Sequence, residues 1–84
     1  MMKKLANHKY SQCYVETVGN VTTFTSYSTP VIYMTTIEGQ RYMECTGTYS
    51  ATTRKQIGYF LKEYAPDLSY YDMKNIVGKG AVVI

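Results

Sequence analysis

The hydroxyls and cations of "TYSATTRKQ", residues 48–56, are the densest grouping in this chain of residue types that could do chemistry. Ser50, Thr52 and Thr53 lead into Arg54 and Lys55. Two uses fit that order. Hydroxyls ahead of a helix can accept from its first-turn N–H groups, which have no intrahelical acceptor. The same N–H groups, joined by two cations, can instead hold a phosphate. The sequence favours the cap. No glycine lets the backbone wrap an anion, and helix geometry points Arg54 and Lys55 away from the apolar stripe that follows. Ser50 is the expected N-cap, with Thr52, Thr53 or the Tyr49 hydroxyl nearby.

Other reactive residues are sparse. His8 is the single histidine and stands in a polar, basic N-terminal stretch, a poor place to hold a catalytic group. Glu16, Glu38, Glu44, Glu63, Asp67 and Asp72 are scattered and read as solvated charge rather than as an acid–base pair. Cys13 and Cys45 are too far apart for a CxxC zinc or redox motif and read as small buried hydrophobes. There is no GxxxxGK[ST] or GxGxxG, and "GKGA" at 78–81 lacks the strand-before, helix-after context that gives such glycines meaning. The expectation is a protein that is not an enzyme, with no cofactor and no metal.

The elements that must position these residues follow from pattern. Up to Tyr49 the chain is rich in Thr, Val, Tyr and Ile, the β-branched and aromatic set that favours strands. Gly19-Asn20 and Glu38-Gly39-Gln40 interrupt it as hairpin turns, and Pro30 belongs at a strand start or edge. Four strands are predicted over 12–18, 21–27, 31–37 and 41–47. Alternation puts Phe24 between Thr22 and Ser26 on one face, with Val21, Thr23, Thr25 and Tyr27 on the other. Met43 and Cys45 oppose Tyr42, Glu44 and Thr46 in the same way. In the third run Val31, Tyr33, Thr35 and Ile37 alternate with Ile32, Met34 and Thr36, and both sides are fairly apolar.

The spacing of Ile57, Phe60, Leu61 and Tyr64 predicts an amphipathic helix over 50–64, ended by Pro66. A shorter helix follows in "PDLSYYDMKNIVGKG", with Ser69 as N-cap, Asp72 three residues on, Tyr70, Met73 and Val77 on one face, and Gly78 and Gly80 as stops. The closing "AVVI" is either a fifth strand or an exposed tail. The fold class is therefore α+β: a mostly antiparallel sheet of four to five strands, the main helix on one face and a short C-terminal helix.

Eighty-four residues make one domain, 1–84, with 1–9 expected to fray. A composition 45% hydrophobic and 18% charged is globular, not disordered. Ten tyrosines against two phenylalanines and no tryptophan suit half-buried sheets and binding surfaces alike. The net charge of +3 and a pI near 8.9 permit an acidic partner without specifying one. No apolar run follows the N-terminal lysines as in a signal peptide, and no segment is long enough to span a membrane, so the cytoplasm is the expected location.

On the main helix Lys55, Tyr59 and Lys62 stand at i, i+4 and i+7, with Arg54 beside them, an expected solvent-facing stripe. Tyrosine among cations is a composition favoured at protein interfaces. An ordinary solvated face carrying one spare tyrosine has the same pattern. The candidate partner-binding residues are Arg54, Lys55, Tyr59 and Lys62, with Tyr70 and Tyr71 as further anchors.

Two blocks, "VTTFTSYSTPVIYM" and "YSATTRKQIGYFLKEY", resemble a family of small bacteriophage- and prophage-encoded proteins of unknown function. The resemblance covers about Gln12 to Tyr64 and is most distinctive at Ser26–Val31 and Tyr49–Thr53. Proteins of that kind often carry a histidine before the helix isoleucine and a tryptophan in the fourth strand. Gln56 and no tryptophan stand here, so any role of that histidine is not carried over. The resemblance implies a phage origin. Small phage proteins without enzymatic residues are often stoichiometric inhibitors of host machinery, CRISPR effectors and other defence systems included. The expected function is thus a non-enzymatic binding protein that occupies a bacterial host protein, with a homodimer as one form it can take. The alternatives are a weak, sequence-nonspecific nucleic-acid binder and a phage structural or assembly component.

Overall fold

A computed structural model describes residues 2–4, 13–47 and 50–84. Among the described residues the chain runs β1 (Met2–Lys4), β2 (Cys13–Val18), β3 (Val21–Ser26), β4 (Thr29–Ile37), β5 (Gln40–Cys45), α1 (Ala51–Tyr64), α2 (Tyr70–Ile76) and β6 (Val82–Val83). The strands form one antiparallel sheet in sequential order, β1-β2-β3-β4-β5-β6. Sequential order needs only hairpins, and the turn chemistry supplies them. Gly19 (φ 59°) opens the β2–β3 turn, and Glu38 and Gly39 (φ 51° and 80°) form the β4–β5 turn with Gln40 already in the strand. Two successive positive φ values match the twist of the flanking strands.

The α+β class and the four central strands are as the sequence pattern predicted. The sheet extends beyond them at both edges. "AVVI" is a strand: Val82 lies opposite Met43 and Val83 opposite Tyr42, and the Ile84 N–H donates to the Arg41 carbonyl at 3.1 Å. At the far edge, Met2–Lys4 pairs with β2 instead of fraying, with Lys3 opposite Val15. The outer edge of β2 presents unpaired backbone groups, and a short added strand satisfies them. Met1, the stretch 5–9 with His8, the Gln12 strand start and the Tyr49 hydroxyl lie outside the described residues.

Both helices cover one face of the sheet. Phe24 of β3 stacks on Phe60 of α1 with centroids 5.0 Å apart, and Phe60 stacks on Tyr64 at 5.1 Å. Around them Cys13, Val15, Ile32, Met43, Cys45, Ile57, Leu61 and Met73 are fully buried. The alternation predicted for β3 and β5 holds, with Thr22, Phe24 and Ser26, and Met43 and Cys45, all facing the helices. In β4 it breaks. Thr25 pairs with Pro30 while Phe24 pairs with Ile32, so the register shifts and Val31 becomes an extra residue. Val31 and Ile32 are therefore both buried, although they are neighbours in sequence. Pro30 sits beside this irregularity near the strand start, where its missing N–H is tolerated. At the same hairpin Tyr27 adopts φ 57°, a conformation bulky side chains rarely take.

The ends of the helices are fixed locally. Ser50 Oγ accepts from the Thr53 N–H at 3.2 Å, the expected cap. The Ala65 N–H closes the far end on the Leu61 carbonyl at 2.8 Å, one residue before Pro66. At α2 the Asp72 carboxylate reaches back to the Ser69 N–H at 2.7 Å. Arg41 of β5 meets Asp67 at 2.8 Å and ties the sheet to the connection between the helices. Its guanidinium hydrogen bond holds the Asp67 carboxyl below the usual carboxylate range.

Candidate functional site: a cationic, tyrosine-lined concavity between the helices

The first turns of α1 and α2 lie side by side and enclose a shallow concavity of about 390 Å³, open to solvent. Ala51, Arg54 and Lys55 line it from α1, and Tyr70 and Tyr71 from α2. Four of the six sequence-nominated residues thus converge on one spot, although they come from separate helices. The concavity mixes cations with aromatic rings. Tyr71 is 73% exposed, and its ring meets that of Tyr70 edge-on with centroids 6.1 Å apart. Tyr70 is half-buried and packs its inner side on the core, so it anchors the wall that Tyr71 extends.

The other two nominated residues lie apart from it. Tyr59 is not on a free stripe: it is half-buried and packs against the core. The buried side of α1 is wider than the apolar spacing indicates, because Thr53 and Gln56 are buried along with Ile57, Phe60 and Leu61. Tyr59 is three residues from Gln56 and next to Phe60, which turns it toward the sheet. Lys62 is exposed in the last turn of α1, where a cation complements the helix dipole, and does not line the concavity.

Charge at the first turn of α1 has the opposite character. It has no acidic residue, and Arg54 and Lys55 stand where the dipole already favours anions. The helix end and both cations add to one positive potential over the concavity.

Sequence reasoning missed a buried polar chain on the inner side of the same turn. Ser50 Oγ lies 3.3 Å from Thr53 Oγ1, Thr53 Oγ1 lies 3.1 Å from Ser26 Oγ, and Ser26 Oγ donates to Gln56 Oε1. Ser26, Thr53 and Gln56 are all buried, so the chain rivets β3 to α1 with hydrogen bonds rather than apolar contact. Gln56 Nε2 has no hydrogen-bond partner among the described residues. The signal available in the sequence was position: Thr53, Gln56 and Phe60 fall on one helix face, and Ser26 shares a strand face with Phe24.

Cys13 and Cys45 are free and buried, as expected of small hydrophobes, and burial pushes the Cys13 thiol up to about 11 and the Cys45 thiol upward as well. Among the described residues no three His, Cys, Asp or Glu side chains cluster as metal ligands, and no helix is long and apolar enough to cross a membrane.

These features define a small α+β domain, an antiparallel sheet with two helices on one face and a cationic aromatic concavity where the helices begin. The chain belongs to a family of unknown function, DUF8033, whose model matches residues 1–76. The match takes in the sheet from β1 to β5 and both helices, and leaves β6 outside. No curated protein and no solved structure matches the chain. The family's description assigns it no activity and no source.

Proposed function

We propose that this protein is a non-enzymatic binding module that occupies a partner protein through the concavity between α1 and α2. One observation carries the reading: Arg54, Lys55, Tyr70 and Tyr71 converge from two helices on a single open depression. Its chemistry suits an acidic protein surface that also presents an apolar or aromatic knob. Arg54 and Lys55 would meet the carboxylates, and Tyr71 would serve as the aromatic anchor, a residue type enriched at interface hot spots. Tyr70, already packed, gives the contact a rigid floor. In the cytoplasm of a bacterial host such a module would act stoichiometrically, as an inhibitor that blocks a host defence protein. The resemblance of the Ser26–Val31 and Tyr49–Thr53 blocks to phage-encoded proteins supports that form of the proposal.

A tagged pull-down from nuclease-treated bacterial lysate tests it. One stoichiometric protein is expected to survive nuclease and to be lost on paired Arg54→Glu and Lys55→Glu substitution, with the melting temperature little changed. The edge-on Tyr70–Tyr71 pair leaves a ring face for a base, which favours single-stranded nucleic acid as the second reading. Loss of all binding on nuclease treatment, with affinity that falls steeply as salt rises, would replace the first reading with the second.

A further inference from the structure

Every residue that α1 exposes is either a cation or carries no side chain larger than a methyl group. These residues are Ala51, Arg54, Lys55, Gly58 and Lys62. Glu63, the single acid of the helix, is half-buried and stands outside this set. In the rest of the helix layer Asp67 is held by Arg41, and Asp72 by the Ser69 N–H. Among the described residues none of the three cations forms an ion pair. The face is therefore positive from its first turn to its last, well past the concavity at its start.

Gly58 is the residue on this face that the fold does not explain. It stands in the middle of a helix, where glycine is the least favourable residue after proline. It is not among the glycines with positive φ, so no conformational need selects it. A Cβ there would meet no atom within 4 Å, so no neighbour in the chain selects it either. Helix geometry makes Arg54 and Lys55, on the turn before it, and Lys62, on the turn after it, its surface neighbours. A glycine among cations leaves a notch in which another backbone can come close to the α1 axis.

We propose that the exposed face of α1 seats an acidic helix of the partner protein, lying lengthwise over Gly58. The inference rests on the reading of this protein as a binding module, and it extends the contact from the concavity along the helix. Charge complementarity names the partner's chemistry, carboxylates that face Arg54, Lys55 and Lys62. Spacing names its shape. Ala51 and Gly58 are seven residues apart, as are Lys55 and Lys62, so small and cationic positions each recur after about 10 Å of helix. A seven-residue repeat is the period at which two helices crossing at about 20° stay in contact. Small residues along the contact suit the short end of the range of about 8–10 Å between packed helix axes. A nucleic-acid strand needs no such period, and this face exposes no aromatic ring on which bases could stack.

Amide NMR titration of the full chain tests the inference. The probe is a stapled alanine–glutamate peptide of about four turns with its glutamates along one face. The control is its unstapled, proline-interrupted counterpart of equal charge. The helical probe should shift the Gly58 amide together with those of Lys55 and Lys62, and should bind about tenfold or more tightly than the control. Gly58→Gln fills the notch with a better helix former, so it should raise the melting temperature by about 2–5 °C. The same variant should weaken the helical probe by about tenfold or more, a combination that a purely structural glycine does not give.

The inference falls, with the concavity reading intact, if the shifts are confined to Arg54, Lys55 and Tyr71. It falls in the same way if the control binds as tightly as the probe, or if Gly58→Gln leaves probe affinity unchanged or lowers the melting temperature. Shifts at none of these residues with either peptide would overturn both readings. A single-stranded oligonucleotide of equal charge that displaces the probe from Gly58 would overturn the inference too, because the face then serves a phosphate backbone.

Discussion

One sheet presents two faces built from the same strands, and they differ in nearly every physical respect. The face under the helices carries Cys13, Val15, Phe24, Ile32, Met43 and Cys45, all dry. The opposite face carries Tyr14, Thr23, Thr25, Tyr33, Thr35 and Tyr42, all half-buried, with an aliphatic rim. Backbone and propensity are shared, so the contrast comes from the side chains and from what lies over them. Thr and Tyr keep a hydroxyl for water and can face solvent without a cover. Phe, Ile and Met cannot, and each fully covered side chain contributes about 1.5–3 kcal/mol relative to exposure. An 84-residue chain has little apolar surface to spend, and it concentrates that surface where two helices can close over it.

That contrast predicts a steep gradient of mutational cost. Phe60→Ala should be the most damaging substitution, because it opens a cavity between Phe24 and Tyr64 and removes both stacked contacts. A loss of about 3–5 kcal/mol in urea denaturation is expected, and one below 1.5 kcal/mol would mean that the covered face is not a close-packed core.

Ser26→Ala should come next, at roughly 1–3 kcal/mol, since it leaves the buried Gln56 carbonyl without its donor and the Thr53 hydroxyl with Ser50 alone. Gln56→Met distinguishes this from a simple packing effect. Gln56 already buries an unpaired Nε2, so Gln56→Met should be close to neutral while Ser26→Ala is not. Equal losses from the two would show that the polar chain adds nothing beyond shape.

Tyr33→Thr, on the open face, should cost less than about 1 kcal/mol when measured on dilute monomer, because only cross-strand contact is lost. A loss as large as that of Phe60→Ala would show that the open face is covered in the folded chain. The gradient between the faces would then disappear.

Much of this was legible in the residues. The strand spans, the Gly19 and Gly39 turns, the Ser50 cap and the Ile57–Phe60–Leu61 stripe are local features, set by periods of 2 and 3.6 and by turn chemistry. The rest depended on contacts between elements. Whether Tyr59 faces solvent depends on how wide a swath of α1 the sheet covers, and burial of Thr53 and Gln56 makes it wider than the apolar stripe alone. The edge strand Met2–Lys4 is too short and too polar to declare itself, and forms only because β2 offers it an edge. Alternation groups Val31 with Tyr33, Thr35 and Ile37, yet Val31 is buried beside Ile32, because a register shift is a property of a strand pair, not of one strand.

By itself, then, the sequence determined the class of fold, the four central strands and two helices in order, the ends of both helices and the identity of the cations and tyrosines available for binding. Tertiary structure decided which of them act together. Arg54 and Lys55 meet Tyr70 and Tyr71 because the Ala65–Ser69 connection folds α2 back beside α1, and Val18 joins Val83 in one row because five strands pair in register. Such coincidences depend on long-range packing and hydrogen-bond register, which bring together residues that no local period relates.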